Sequence, residues 1–326
     1  MTKHTPIPGA ARPETQSKRG SLLERADAAF GLENLGAATV PANLPRPKKP
    51  TVESPPVARA KQPAPASAPK AAPVEAREEP PVTLGGRVVE IDREALRDHR
   101  LIVPEDPVTG LLEEFRIIKR ELLANARETR DPVARRVLLS SPHEGEGKTF
   151  CAANLAIALS AERNVEVLLI DADVMNPSIT KAFGIDNAPG LMDALADPDQ
   201  NPEELAIETD IDGLFIMPAG SLSASDTEYL ASKRTEDVLE RLTRGAPNRF
   251  VIFDTPPALA ASPAGELAAF VGQALLVVRA DETGRAAIDD AQKLLSACPD
   301  LKLLLNAAKF SPSGRQFGHY RQGDDA

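Results

Sequence analysis

One run of thirteen residues constrains the fold more than any other part of the chain: Val137-Leu138-Leu139-Ser140-Ser141-Pro142-His143-Glu144-Gly145-Glu146-Gly147-Lys148-Thr149. It reads as an apolar strand, a glycine-containing loop and the first turn of a helix that continues to Ala161. A loop of this kind brings several backbone N–H donors to one point, and Gly145 and Gly147 let the backbone come close enough to do so. The helix starting near Lys148 aims the positive end of its dipole at the same place. A polyphosphate fits such a point. The Lys148 ammonium would reach the β- and γ-phosphates, and the Thr149 hydroxyl would ligate magnesium. Gly145, Glu146, Gly147, Lys148, Thr149 and Phe150 are therefore the expected nucleotide contacts, with ATP and Mg2+ as the cofactors. The general pattern has a glycine five residues before Gly147, where this chain has Pro142.

Two further strand ends support the same chemistry. Val167-Leu168-Leu169-Ile170-Asp171-Ala172-Asp173 ends a strand with two carboxylates, and Phe250-Val251-Ile252-Phe253-Asp254 ends another with one. In a parallel sheet the C-terminal ends of strands gather at the ligand crevice. Asp173 and Asp254 are expected to hold the magnesium directly or through water, and Asp171 is the candidate base orienting the attacking oxygen. Catalysis is thus assigned to Lys148, Asp171 and Asp173. Other strand candidates are Leu214–Pro218, Ala274–Ala280 and Lys302–Asn306. Helical patterns fall at 235–243, 265–271 and 284–297. Strands alternating with helices predict an α/β fold, a doubly wound and mostly parallel sheet of the P-loop NTPase type.

The rest of the chain is organised around this domain. Residues 1–83 form the expected disordered front region. Twelve of the residues from Pro41 to Pro81 are proline, among Ala, Lys, Glu and Ser, with too little apolar surface to offset ordering. Within this region Ser21–Phe30 has helical spacing and is either a docking helix or a transient one. The P-loop domain is expected over 84–310. It opens with a short strand at Val88–Ile91 and a short helix at Arg93–His99, followed by an amphipathic helix over 111–126. That helix carries Glu113, Arg116 and Lys119 on its charged face. Residues 311–326 form the expected mobile tail. Residues 1–80 carry a net +4 and the remainder a net −14, an acidic balance that argues against nucleic-acid binding. The two cysteines, Cys151 and Cys298, lack metal-ligand spacing and fit a reducing cytoplasm. No apolar run nears the roughly 18 residues needed to span a bilayer, so membrane association is expected through a partner or the surface.

Taken together, Ser21-Leu22-Leu23-Glu24-Arg25-Ala26, Glu113-Glu114-Phe115-Arg116-Ile117-Ile118-Lys119-Arg120, Gly145-Glu146-Gly147-Lys148-Thr149, Asp171-Ala172-Asp173, Pro218-Ala219-Gly220 and Phe253-Asp254-Thr255-Pro256-Pro257 resemble the bacterial tyrosine autokinases of capsule and exopolysaccharide systems, of the exosortase-associated type. These are relatives of the MinD/ParA-like cell-division and partition ATPases. The resemblance implies trans-phosphorylation of a tail tyrosine, here Tyr320, and an adenine contact at Asn306. It implies a homo-oligomeric ring built through Glu113, Arg116 and Lys119, a face that read alone is a solvated charged surface. It also implies a transmembrane chain-length regulator, or co-polymerase, as partner, and a cytoplasmic location peripheral to the inner face of the membrane. Two departures stand out. The arginine usual shortly after the second Asp of D-x-D is missing from Val174-Met175-Asn176-Pro177, and the tail has a single tyrosine. A non-kinase ATPase switch of the MinD/ParA type and a nucleotide-binding scaffold are the alternative readings.

Overall fold

The computed structural model describes residues 82–129, 131–221 and 226–308. The helix candidate at Ser21–Phe30, the proline-rich segment and the tail with Tyr320 lie outside the described residues.

The sheet has eight strands among the described residues: β1 (Val88–Val89), β2 (Arg136–Ser140), β3 (Glu166–Asp171), β4 (Ile207–Thr209), β5 (Leu214–Met217), β6 (Arg249–Asp254), β7 (Gln273–Arg279) and β8 (Leu301–Asn306). Their order is β1-β4-β5-β3-β6-β2-β7-β8. Every neighbouring pair is parallel except β4–β5. The expected doubly wound, mostly parallel sheet is therefore the fold, with one reversed edge that the sequence pattern did not announce. The three-residue β4 is too short for its apolar alternation to rise above the surrounding loop.

Both faces of the sheet are covered. Helices α1 (Arg93–Asp98), α2 (Gly110–Thr129) and α3 (Lys148–Ser160) lie against one face. On the other lie α5 (Leu191–Ala196), α7 (Lys233–Thr243), α8 (Pro263–Leu267) and α9 (Arg285–Leu294). Successive strand residues point to opposite faces, so Val137 and Leu139 enter the first core while Leu138 enters the second. Covering both faces is why these strands read as continuous apolar runs rather than alternating ones. Helix α3 is apolar all round because it is sunk in the first core, buried from Cys151 to Ser160. Its one buried amide is satisfied: Asn154 Oδ1 accepts from Ile102 N at 2.7 Å and its Nδ2 donates to the Phe150 carbonyl at 2.9 Å.

Helix α2 packs along α3 through Phe115, Leu122 and Leu123, each worth ~1.5–3 kcal/mol on burial. Two small helices, α4 (Ile179–Ala182) and α6 (Asp226–Leu230), complete the α-helices among the described residues, beside three short 3-10 turns at Pro132–Arg135, Pro202–Leu205 and Ala268–Phe270. The Pro218-Ala219-Gly220 turn seats α5. The Pro218 and Ala219 carbonyls accept from Leu191 N and Met192 N, both at 2.9 Å. A Cβ at Gly190 would lie 1.9 Å from the Pro218 carbonyl oxygen, so only glycine fits there.

Candidate functional site

The register of the sheet brings the strand tips level. Leu139 on β2 and Asp171 on β3 both pair with Asp254 on β6. Beyond Ser140 the chain turns over these tips as a loop whose shape is fixed from inside. Ser141 Oγ donates to the His143 carbonyl at 2.6 Å. The Glu146 side chain turns inward and is 5% exposed. Its Oε2 accepts from His143 N at 3.0 Å, and its Oε1 accepts from Thr283 Oγ1 at 2.5 Å. Thr283 Oγ1 also accepts from Arg279 N at 2.8 Å, while the Arg279 guanidinium donates to the Gly145 carbonyl at 3.2 Å. Asn306 Nδ2 donates to the Glu146 carbonyl at 2.8 Å. The ends of β7 and β8 thus brace the loop. At Gly147 φ is +94° and an added Cβ would sit 2.2 Å from Asn306 Nδ2, so both conformation and space call for glycine.

Lys148 opens α3 and reaches back across the loop. Its Nζ donates to Asp173 Oδ2 at 2.7 Å and lies 4.0 Å from Asp254 Oδ1. Burial alone would lower the Lys148 pKa, but Asp254 and Asp173 more than reverse this and hold it above its ordinary value. Asp254 is fully buried and neither carboxylate oxygen has a hydrogen-bond partner. Burial pushes its carboxyl up to about 7, against the pull of Lys148. A buried carboxylate without a donor is one that a cation would relieve, so Asp254 with the Thr149 hydroxyl fits a hard divalent ion. Among the described residues no group of three or more His, Cys, Asp or Glu side chains forms a metal cage.

Asp171 is held differently in this arrangement. It is fully buried, its Oδ1 accepts from Asp173 N at 3.1 Å, and its Oδ2 accepts from Ser178 N and Ile179 N at 2.9 and 3.0 Å. Burial raises its pKa while the three N–H bonds oppose the rise. The carboxylate fastens the segment that presents Asp173 to Lys148. Thr149 Oγ1 lies 3.2 Å from Ser178 Oγ on that segment.

A cavity of about 700 Å³ opens at this point, with Gly147, Lys148, Thr149 and Asp173 on one side and Met175, Pro256 and Pro257 on the other. The structure therefore brings Lys148, Thr149 and Asp173 to one opening, with Asp254 beneath Lys148 and Asp171 beside Asp254. The ring of Phe150 points elsewhere, edge-on to Phe115 with centroids 6.3 Å apart, and joins α3 to α2. Glu113 and Arg116 form an ion pair with each other on α2, and Lys119 pairs with Glu162 at 3.0 Å. Tyr229 is half-buried in α6 against the second core. Thr283, Arg279 and Ser178 were not singled out from sequence. They meet the loop from up to about 140 positions away, and an isolated polar residue in a loop carries no signal of such a contact.

A strand–loop–helix with an inward lysine, and carboxylates on two further strand tips, defines a P-loop nucleotide-binding protein. A family profile described as an AAA domain matches residues 135–306, more than half of the chain, and the chain belongs to that family. Its relatives are bacterial tyrosine-protein kinases. It is 28% identical over 237 residues to the tyrosine-protein kinase YwqD of Bacillus subtilis, covering 72% of this chain and 96% of that protein. It is 32% identical over 193 residues to the putative tyrosine-protein kinase EpsB of Ralstonia nicotianae, covering 59% of this chain but only 24% of that much longer one. Among solved structures, the BceF tyrosine kinase domain aligns with a TM-score of 0.51 at 28% identity, over 59% of this chain and 76% of that one.

Proposed function

We propose that this chain is an ATP-dependent protein-tyrosine kinase acting on tyrosine in a second copy of itself, and that it serves exopolysaccharide or capsule export. The observation that carries this is the Lys148 ammonium held between Asp173 and the fully buried Asp254 at the mouth of a glycine loop. It is supported by the similarity to YwqD along nearly the whole of that kinase.

Each residue has a part in positioning and charge neutralisation, which dominate phosphoryl transfer. Backbone N–H groups from Gly145 to Phe150 cradle the phosphates of ATP. Lys148 exchanges Asp173 for the β- and γ-phosphate oxygens. Thr149, Asp173 and Asp254 are the residues that would hold magnesium, which supplies charge neutralisation on those oxygens when bound. In the transfer a bond forms between the tyrosine oxygen and the γ-phosphorus as the bond to the β,γ-bridging oxygen breaks, and ADP leaves. The phenol proton goes to a carboxylate, assigned to Asp171, which sheds one loop N–H bond to accept it. Asn306 contacts adenine by releasing the Glu146 carbonyl. Tyr320 is the phosphoacceptor.

A ring of subunits would form by exchanging the Glu113–Arg116 and Lys119–Glu162 pairs within a chain for pairs between chains. Among the described residues no helix is long and apolar enough to cross a membrane. The proposed site of action is the inner face of the membrane, on a transmembrane chain-length regulator.

The test is phosphosite mapping of the purified full chain with ATP and magnesium, beside Lys148→Ala and Tyr320→Phe. Phosphate on Tyr320 in the parent, and in neither variant, is the expected result. ATP consumption with no phosphotyrosine would replace the kinase with a switch ATPase.

A further inference from the structure

The opposite pole of the sheet has a chemistry of its own. Here the last turn of α2, the turn after α3 and the starts of β3 and β6 enclose a cavity of about 410 Å³. Three arginines line it: Arg127 from α2, Arg135 from the short helical turn before β2, and Arg163 from the turn after α3. Among the described residues none of the three has an ion-pair or hydrogen-bond partner. The carboxylate on the wall, Glu162, is held by Lys119 at 3.0 Å. Arg135 is the most enclosed of the three. Its Nε is buried without a partner, and burial lowers its pKa with only Asp131 opposing.

Helix dipoles do not account for so much charge. Both α2 and α3 end here, and each C-terminus supplies roughly half a negative charge. Three guanidinium groups against two such ends and the Asp131 carboxylate that acts on Arg135 leave roughly one positive charge uncompensated. The adjoining cavity, of about 820 Å³, makes the contrast. It shares Arg135 and adds Arg136 and Arg244, but it also contains Asp131, Glu236 and Glu240, which balance them. The smaller cavity has three arginines and one carboxylate, Glu162, on its walls. Its remaining walls include Leu123 and Phe250, so it offers apolar contact as well.

We infer that this pocket binds a phosphate-bearing ligand between Arg127, Arg135 and Arg163, either the headgroup of an anionic lipid or a soluble phosphate ester. Guanidinium forks match phosphate oxygens bidentately, and a partly enclosed site strengthens the attraction. The site is separate from the phosphate loop and does not depend on the kinase assignment.

The experiment uses the full chain with ADP and magnesium at saturation, so that any phosphate taken up beside the nucleotide is common to the parent and every variant. One arm measures co-sedimentation with phosphatidylglycerol vesicles against phosphatidylcholine vesicles. The other titrates inorganic phosphate calorimetrically. Arg135→Ala and Arg163→Ala should each weaken the bound ligand roughly fivefold. Arg285→Ala, which removes the same charge from a side chain that is 94% exposed, should stay within twofold of the parent. An effect confined to vesicles identifies the headgroup, and an effect on phosphate identifies the soluble ester. The basic front segment contributes equally to every variant. Should Arg135→Ala lower the melting temperature, the exposed Arg163 carries the comparison alone. Binding that is absent, indifferent to both pocket variants, or weakened as much by Arg285→Ala overturns the inference.

Discussion

Replacing Asp254 by asparagine should make the nucleotide-free protein more stable above neutral pH while removing its nucleotide chemistry. Asp254 is fully buried, its oxygens lack donors, and burial raises its carboxyl from an ordinary 3.8 to about 7. An acid that binds its proton more tightly when folded favours the folded state less as pH rises. The loss begins near pH 4, grows until about pH 7 and is constant above it. At ~1.4 kcal/mol for each tenfold change in proton affinity, the ionised group costs about 4 kcal/mol at pH 8. Asparagine removes that cost but leaves a buried amide poorly satisfied, at ~1–3 kcal/mol. The net gain at pH 8 is therefore roughly 1–3 kcal/mol, and near pH 5 the two effects nearly cancel. For a domain of this size each kcal/mol moves the melting temperature by ~2–4 °C. The assay is thermal and urea unfolding of parent and Asp254→Asn at pH 5 and pH 8, free of nucleotide and with chelator present. If the variant is no more stable than the parent at pH 8, or the difference does not grow with pH, the reasoning about Asp254 is wrong.

Other substitutions test the bracing of the loop. Gly147→Ala places a side chain at φ +94° and 2.2 Å from Asn306 Nδ2. The amide can swing aside, so the strain is chiefly backbone, ~1–2 kcal/mol, and should appear in a melt together with at least a tenfold loss of ATP affinity. Thr283→Val removes the hydroxyl that donates to Glu146 Oε1 and should cost ~1–3 kcal/mol. The KM for ATP should rise more than kcat falls, and a pure stability loss would show that the latch does not shape the loop. Ala307 has φ +55°, so Ala307→Gly should gain roughly 0.5–1 kcal/mol in chemical denaturation. An unchanged midpoint would mean that the conformation is not strained.

The parts of the site carried by strands were legible because the chemistry sits where periodicity changes. An apolar run ending in Asp171 or Asp254, or in the glycine loop before Lys148, marks both a strand and its ligand-facing tip. The direction of side chains within the loop was not legible. Glu146 lies between two glycines in a segment with no period, and only the distant Thr283 determines that its carboxylate turns inward. Phe150 follows the same logic, since its ring goes to Phe115, thirty-five positions earlier. The charged face of α2 illustrates a further limit. Sequence spacing placed Glu113, Arg116 and Lys119 together, but Lys119 bonds to Glu162 on another element. The reversed edge at β4 and the short α4 and α5 escaped notice because a few residues cannot establish a periodicity.

The last strand ends with its terminal amide resting on the backbone that handles phosphate. Asn306 is at once the final residue of β8, a donor to Glu146 and the neighbour that forbids a side chain at Gly147. Five residues further on begins the expected tail, 311–326, which contains Tyr320. Filling or emptying the loop should therefore bear on Asn306 and on Ala307 beside it. A change at Asn306 should register in two readouts together, the grip on nucleotide and the stability of the β8 end, where a change at Lys148 registers in the first.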